Sequence, residues 1–128
     1  MDRRQLDRRL RRARAAHARW QAALTGAAQA GAPEERLLRL VRAPADDVAS
    51  LLSEVTQTPA MAATPPARAA LAAHAALRFE ASRIAGLIER NQTARLRAEI
   101  MGPGLQRPAH ALGRALSDLR IAAVPSHA

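Results

Sequence analysis

Residues 2–24, DRRQLDRRLRRARAAHARWQAAL, decide how the rest of the chain is read. Leu6, Leu10, Ala13, His17, Trp20 and Leu24 follow at alternating spacings of four and three, the 3.5-residue repeat of a narrow helical packing seam. At about 100° per residue these six fall within an arc of roughly 80°, and arginine takes much of the remaining circumference. The spacing predicts a helix from about residue 3 to about residue 29, broken by Gly31, Ala32 and Pro33.

The same helical period recurs downstream, and no strand period does. Pro33 followed by Glu34 and Glu35 suits a helix start, with acids at the positive end of the dipole, and Leu37, Leu38 and Val41 supply a short apolar face. Pro44 is expected to stop that segment and Asp46 and Asp47 to open the next, where Val48, Leu51, Leu52 and Val55 share one face. Residues 57–66, QTPAMAATPP, hold three prolines and no charge and read as a linker, with Thr64 before Pro65 able to cap a new helix. A long helix is predicted over 65–101, with Ala70, His74, Leu77, Ala81, Ile84 and Ile88 as its seam and a kink near Asn91. Gly102, Pro103 and Gly104 read as a helix stop, and Leu112, Ala115, Leu116 and Leu119 mark a final short helix.

A chain of 128 residues is the size of one domain. We expect a single helical domain over 1–121 and a flexible tail over 122–128. Apolar residues make up 48%, but much of that is alanine and Trp20 and Phe79 are the only aromatics, so close helix packing through small residues is the expected solution. The fold class is all-α: an elongated antiparallel helical bundle or hairpin with two long helices and short accessory helices. The helix at 3–29 is expected to lie antiparallel to that at 65–101.

The chemistry-bearing residues are sparse. Cysteine, lysine and tyrosine are absent, and His17, His74, His110 and His127 have no His or Glu at i±3 or i±4 to complete a helical metal site. His74, in LAAHAALRFEA, lacks the surrounding pattern of a phosphotransfer histidine, and no strand leads into Gly102–Gly104 as a phosphate loop would need. A non-enzymatic protein with no metal and no cofactor is therefore expected. No apolar run reaches the length of a membrane span, and a cytoplasmic location is expected. Arginine without lysine, with so much alanine, points to a GC-rich bacterial genome.

The charge is the remaining signal. The net charge is +9, and residues 1–19 carry eight arginines against Asp2 and Asp7. Arg3, Arg4, Arg8, Arg9, Arg11, Arg12, Arg14 and Arg19 are the candidate contacts to an anionic partner. Arg3 and Arg4 stand in the first turn, where the helix dipole is already positive, so an anion there would relieve repulsion. Leu112, Leu116 and Leu119 form a stripe too small to fold alone and are the candidate apolar contacts to a partner. Two functions are open: a helical adaptor or chaperone-like protein that meets an acidic protein surface or an amphipathic partner helix, and a protein that binds DNA or RNA phosphates through the first helix. A homo-oligomer is compatible with both.

One short segment resembles a known family. IERNQTARLRAEI, residues 88–100, is similar to the late long-helix segment of the FlgN-type flagellar export chaperones, where an Asn-containing run precedes an amphipathic C-terminal helix. The similarity spans about a tenth of the chain; the Leu-Asn pair before that run and the acid-rich first helix of the family are absent. What it implies is limited to an arrangement, a long helix, a Gly-Pro hinge and an amphipathic helix, that suits gripping another protein's helix.

Overall fold

The computed structural model describes residues 2–43 and 46–123. Helix α1 spans Arg3–Gln29, α2 Glu34–Arg42, α3 Asp46–Thr56, α4 Pro59–Ala62, α5 Pro65–Glu89, α6 Leu96–Met101 and α7 Pro103–Ala123, and there is no strand among the described residues. The all-α expectation holds.

Local chemistry sets the helix ends. Asp2 caps α1 in a reciprocal box: its carboxylate accepts from the Gln5 amide at 2.8 Å, and Gln5 Oε1 accepts from the Asp2 amide at 3.1 Å. Both long ascending helices end in the same way. Gly31, at φ 69°, donates to the Ala28 carbonyl, and Ala32 donates to that of Ala27. Asn91, at φ 56°, donates to the Ile88 carbonyl, and Gln92 donates to that of Leu87. These are two Schellman stops, one using glycine and one asparagine, a residue that tolerates the left-handed region. The kink expected near Asn91 is thus a full termination, and α6 is a separate element. Thr64 caps α5 with Pro65 at the first helical position, as its sequence suggests.

The stretch 57–66 is less a linker than a tight corner: it holds α4 and the first residues of α5. Pro44 and residues 124–128 of the expected tail, His127 included, lie outside the described residues. The last helix is longer than expected. It starts at Pro103 and continues through Pro108 and Gly113 for 21 residues. Pro103 opens the helix, where proline is favoured, and Pro108 sits in its second turn, where the bond it omits would have gone to exposed Gly104.

The helices form four columns. Trp20 Nε1 donates to the Leu40 carbonyl at 2.7 Å, and Arg9 donates to Ser50 Oγ at 2.9 Å, so α2 and then α3 descend beside ascending α1. Asp7 meets Arg120, His17 meets Ala109 and Gln21 meets Gln106, so α7 also runs antiparallel to α1. Helix α5 packs against α2, α3 and α7. The result is an up-down-up-down four-helix bundle whose second column is split in two. The expected pairing of the first and third columns is corrected: no Cα of α1 lies within 8 Å of a Cα of α5, and the two run parallel on opposite corners, each antiparallel to its neighbours. The core holds the seams read from sequence, Leu6, Leu10, Leu24, Leu51, Val55, Leu77, Ile84 and Ile100 among them.

Candidate anion-binding face

The seam of α1 faces inward, with Leu6, Leu10, Ala13, His17, Trp20 and Leu24 all buried. Its opposite side is therefore fixed outward. At 100° per residue Arg11, Arg4, Arg8, Arg19 and Arg12 fall within an arc of about 100° centred opposite the seam, and all five are exposed. Arg4, Arg8 and Arg12 succeed one another at i, i+4, about 6 Å apart along the axis. Arg3 and Arg14 lie on the flank towards α7, and Arg9 on the flank towards α3.

Some of this charge is neutralised. Arg9 pairs with Glu54 and donates to Ser50. Asp7 is shared, taking Arg11 at 3.0 Å and Arg120 at 3.2 Å. All these pairs are substantially exposed, so each stabilises by well under 1 kcal/mol. Arg3, Arg4, Arg8, Arg12, Arg14 and Arg19 make no ion pair or side-chain hydrogen bond among the described residues. Neighbouring guanidinium groups at i, i+4 repel, at a cost of a few tenths of a kcal/mol per pair. The face thus carries fixed positive charge that the fold does not answer.

The other expected contact surface is corrected. Leu112, Leu116 and Leu119 lie at 1%, 0% and 2% exposure, packed inside the bundle. An amphipathic stripe only requires a partner surface, and here α1 and α5 supply it. The one large apolar side chain left exposed among the described residues is Phe79, at 70%. It stands on α5 opposite that helix's seam, over a recess shared with Ala76, Pro103, Gly104 and Pro108 and edged by Glu80 and Arg107. Its position was readable from spacing, since it lies about half a turn from Leu77, Ala81 and Ile84.

His17 has a structural role. His17 is buried, its Nε2 donates to the Ala109 carbonyl at 2.7 Å, and its ring stacks on Trp20 with centroids 6.1 Å apart. Burial holds its pKa below the usual imidazole value; the backbone bond opposes this, and His110 adds to it. His74, half-buried, is lowered by burial, by Arg78 and by His17. Sequence reasoning missed a second polar cluster, in which Arg83 donates to Glu80 at 2.8 Å and to Glu99 at 2.6 Å, raising the guanidinium pKa and tying α5 to α6. The Glu80–Arg83 spacing was visible; the approach of Glu99 depends on the turn at Asn91.

Among the described residues no three His, Cys, Asp or Glu side chains gather in a way that could hold a metal ion, and no helix is long and apolar enough to cross a membrane. Residues 88–100, the segment similar to the flagellar chaperones, span a helix end, a turn and α6, not one continuous helix. No family model, no curated protein and no solved structure matches the chain.

Proposed function

We propose that this protein is a non-enzymatic binding module that engages the phosphate backbone of duplex nucleic acid through the outer face of α1. The observation that carries the reading is the set of exposed arginines there, of which Arg4, Arg8, Arg12 and Arg19 have no partner among the described residues. From Arg4 to Arg19 the stripe runs about 22 Å, enough to follow several successive phosphates. The face offers arginine and alanine but no aromatic or large aliphatic anchor of the kind that concentrates binding energy in protein interfaces. Trp20 is buried, so stacking on unpaired bases has no support on this face, which favours a duplex. The stripe of Leu112, Leu116 and Leu119, on which an adaptor reading would lean, lies in the core.

A second reading has one observation in its favour. Phe79 and its recess of small residues stand on the column diagonal to α1 and suit an amphipathic helix of a partner protein. Fluorescence anisotropy with a labelled random-sequence duplex, across salt concentrations, separates the two. Phosphate binding predicts a steep log–log salt slope that shrinks by about 0.9 for each contact removed in Arg4→Gln, Arg8→Gln, Arg12→Gln and Arg19→Gln combined. Duplex affinity that ignores these changes, or no duplex binding at low salt, sinks the nucleic-acid reading.

A further inference from the structure

Between α1 and α3 the bundle surface dips into a recess of about 340 Å³ lined by Gln5, Arg8, Arg9, Arg12 and Glu54. Its polar inventory is lopsided. Gln5 Oε1 is held by the Asp2 amide in the capping box, which leaves the Nε2 donor of that side chain for the recess. Arg9 binds Glu54, so the single carboxylate is already answered by a guanidinium. Arg8 and Arg12, one turn apart on the outer edge, make no ion pair or hydrogen bond among the described residues. Donors outnumber the one carboxylate around the space, with three positive charges and one negative among the lining side chains.

We infer that this recess is a seat for a dianionic phosphate monoester, such as the terminal phosphate of a nucleotide, a phosphorylated metabolite or a nucleic-acid 5′ end. The surplus of two charges matches a monoester, which carries about −1.5 to −2 at pH 7, better than a phosphodiester, which carries one. Guanidinium forks pair bidentately with phosphate oxygens, and two forks one turn apart can grip two oxygens while the Gln5 amide donates to the third. The recess is open to solvent and its volume exceeds what a bare phosphate fills, which leaves room for the group that bears the phosphate. This site uses two arginines of the α1 face without depending on a polymeric partner.

Inorganic phosphate, titrated at constant ionic strength into protein labelled with 15N, tests it through the side-chain signals of Gln5, Arg8 and Arg12. The expected result is a saturable shift of these signals, with no comparable shift at Arg4 or Arg19. Arg8→Gln with Arg12→Gln should weaken binding by about tenfold or more, since each change removes a charge-assisted bond. Both residues are exposed, and unchanged circular dichroism confirms that the variant folds. Dimethyl phosphate, a monoanionic diester, should bind far more weakly, and sodium chloride should produce no saturation. Equal shifts from chloride, equal binding of the diester, or an unaffected double variant each overturn the inference. Because free phosphate is the probe, loss of duplex binding with phosphate saturation intact removes the nucleic-acid reading alone, and the reverse outcome removes the seat alone.

Discussion

Helices α1 and α5 occupy opposite corners of the bundle, run in the same direction and have nearly equal lengths of 27 and 25 residues. Their inner faces solve the same problem with the same means: alanine alternating with larger side chains, Leu10 and Leu24 on one, Leu77 and Ile84 on the other. Their outer faces differ in how much charge they carry. That of α1 presents Arg4, Arg8, Arg11, Arg12 and Arg19, while that of α5 presents Arg68, Ala69, Ala72, Ala75, Ala76 and Phe79. Since α5 packs equally well behind an alanine surface, the fold does not require the arginines of α1. Their presence needs a reason outside packing, and that is the strongest physical argument for an anionic partner.

If inner faces carry the fold and outer faces do not, changes inside should be severe. Leu116→Asp places an unpaired charge at a fully buried position between α7 and its neighbours, and loss of cooperative unfolding and of most helicity by circular dichroism is the expected outcome. A folded, helical variant would mean that α7 is dispensable to the bundle and would reopen its leucines to a partner. Trp20→Ala comes next, at about 3–5 kcal/mol in urea denaturation, because it leaves a cavity and removes the bond to Leu40. A cost below 1 kcal/mol would show that the α1–α2 contact collapses without penalty.

The smaller effect is that of pH. His17 is buried in its neutral form, and with Nε2 committed to Ala109 an added proton must go to Nδ1. Its folded pKa lies below the unfolded value of 6.5. The unfolded chain therefore binds the proton first: stability is fully present above about pH 6.5 and is lost as pH falls through that value towards the folded pKa, by at most about 1.4 kcal/mol per unit for this residue. His74 adds in the same direction. The groups facing this pair include His110 and Arg78, both of which oppose a further positive charge. Denaturation midpoints that rise on acidification from pH 7.5 to 5.5 would contradict this account.

What could be read from the chain was whatever depends on neighbours in sequence. The seams of α1, α3 and α5, the cap at Thr64 and the outward direction of the arginines all follow from period and spacing and are found, except that His74 of the α5 seam is only half-buried and Ala73 is buried beside it. The start of α7 was misplaced because Gly102, Pro103, Gly104 and Pro108 look like a run of breakers, whereas only the first two mark a boundary. A Cβ on Gly102 would fall 2.7 Å from the Ala98 carbonyl oxygen, so this glycine ends α6, and the proline beside it opens α7. Which columns touch was not legible, since it rests on contacts such as Asp7 with Arg120, 113 residues apart. Nor could the leucines of α7 be assigned to core or partner, because an apolar stripe looks the same in either setting.

That same Asp7–Arg120 contact, with His17–Ala109 and Gln21–Gln106, has a consequence in time. Helices α5, α6 and α7 are joined by short turns and can find one another at little cost in loop entropy, whereas closing α1 onto α7 brings together residues 85 to 113 positions apart. The α5–α7 hairpin is therefore the expected early structure, and the α1–α7 seam the last to close. Weakening the α1–α7 seam should then speed unfolding and leave the refolding rate nearly unchanged, a division that a chevron plot for Gln21→Ala would display. On this account the α1–α7 seam is also the first to open, while the basic helix stays joined to α2 and α3 through Trp20 and Arg9.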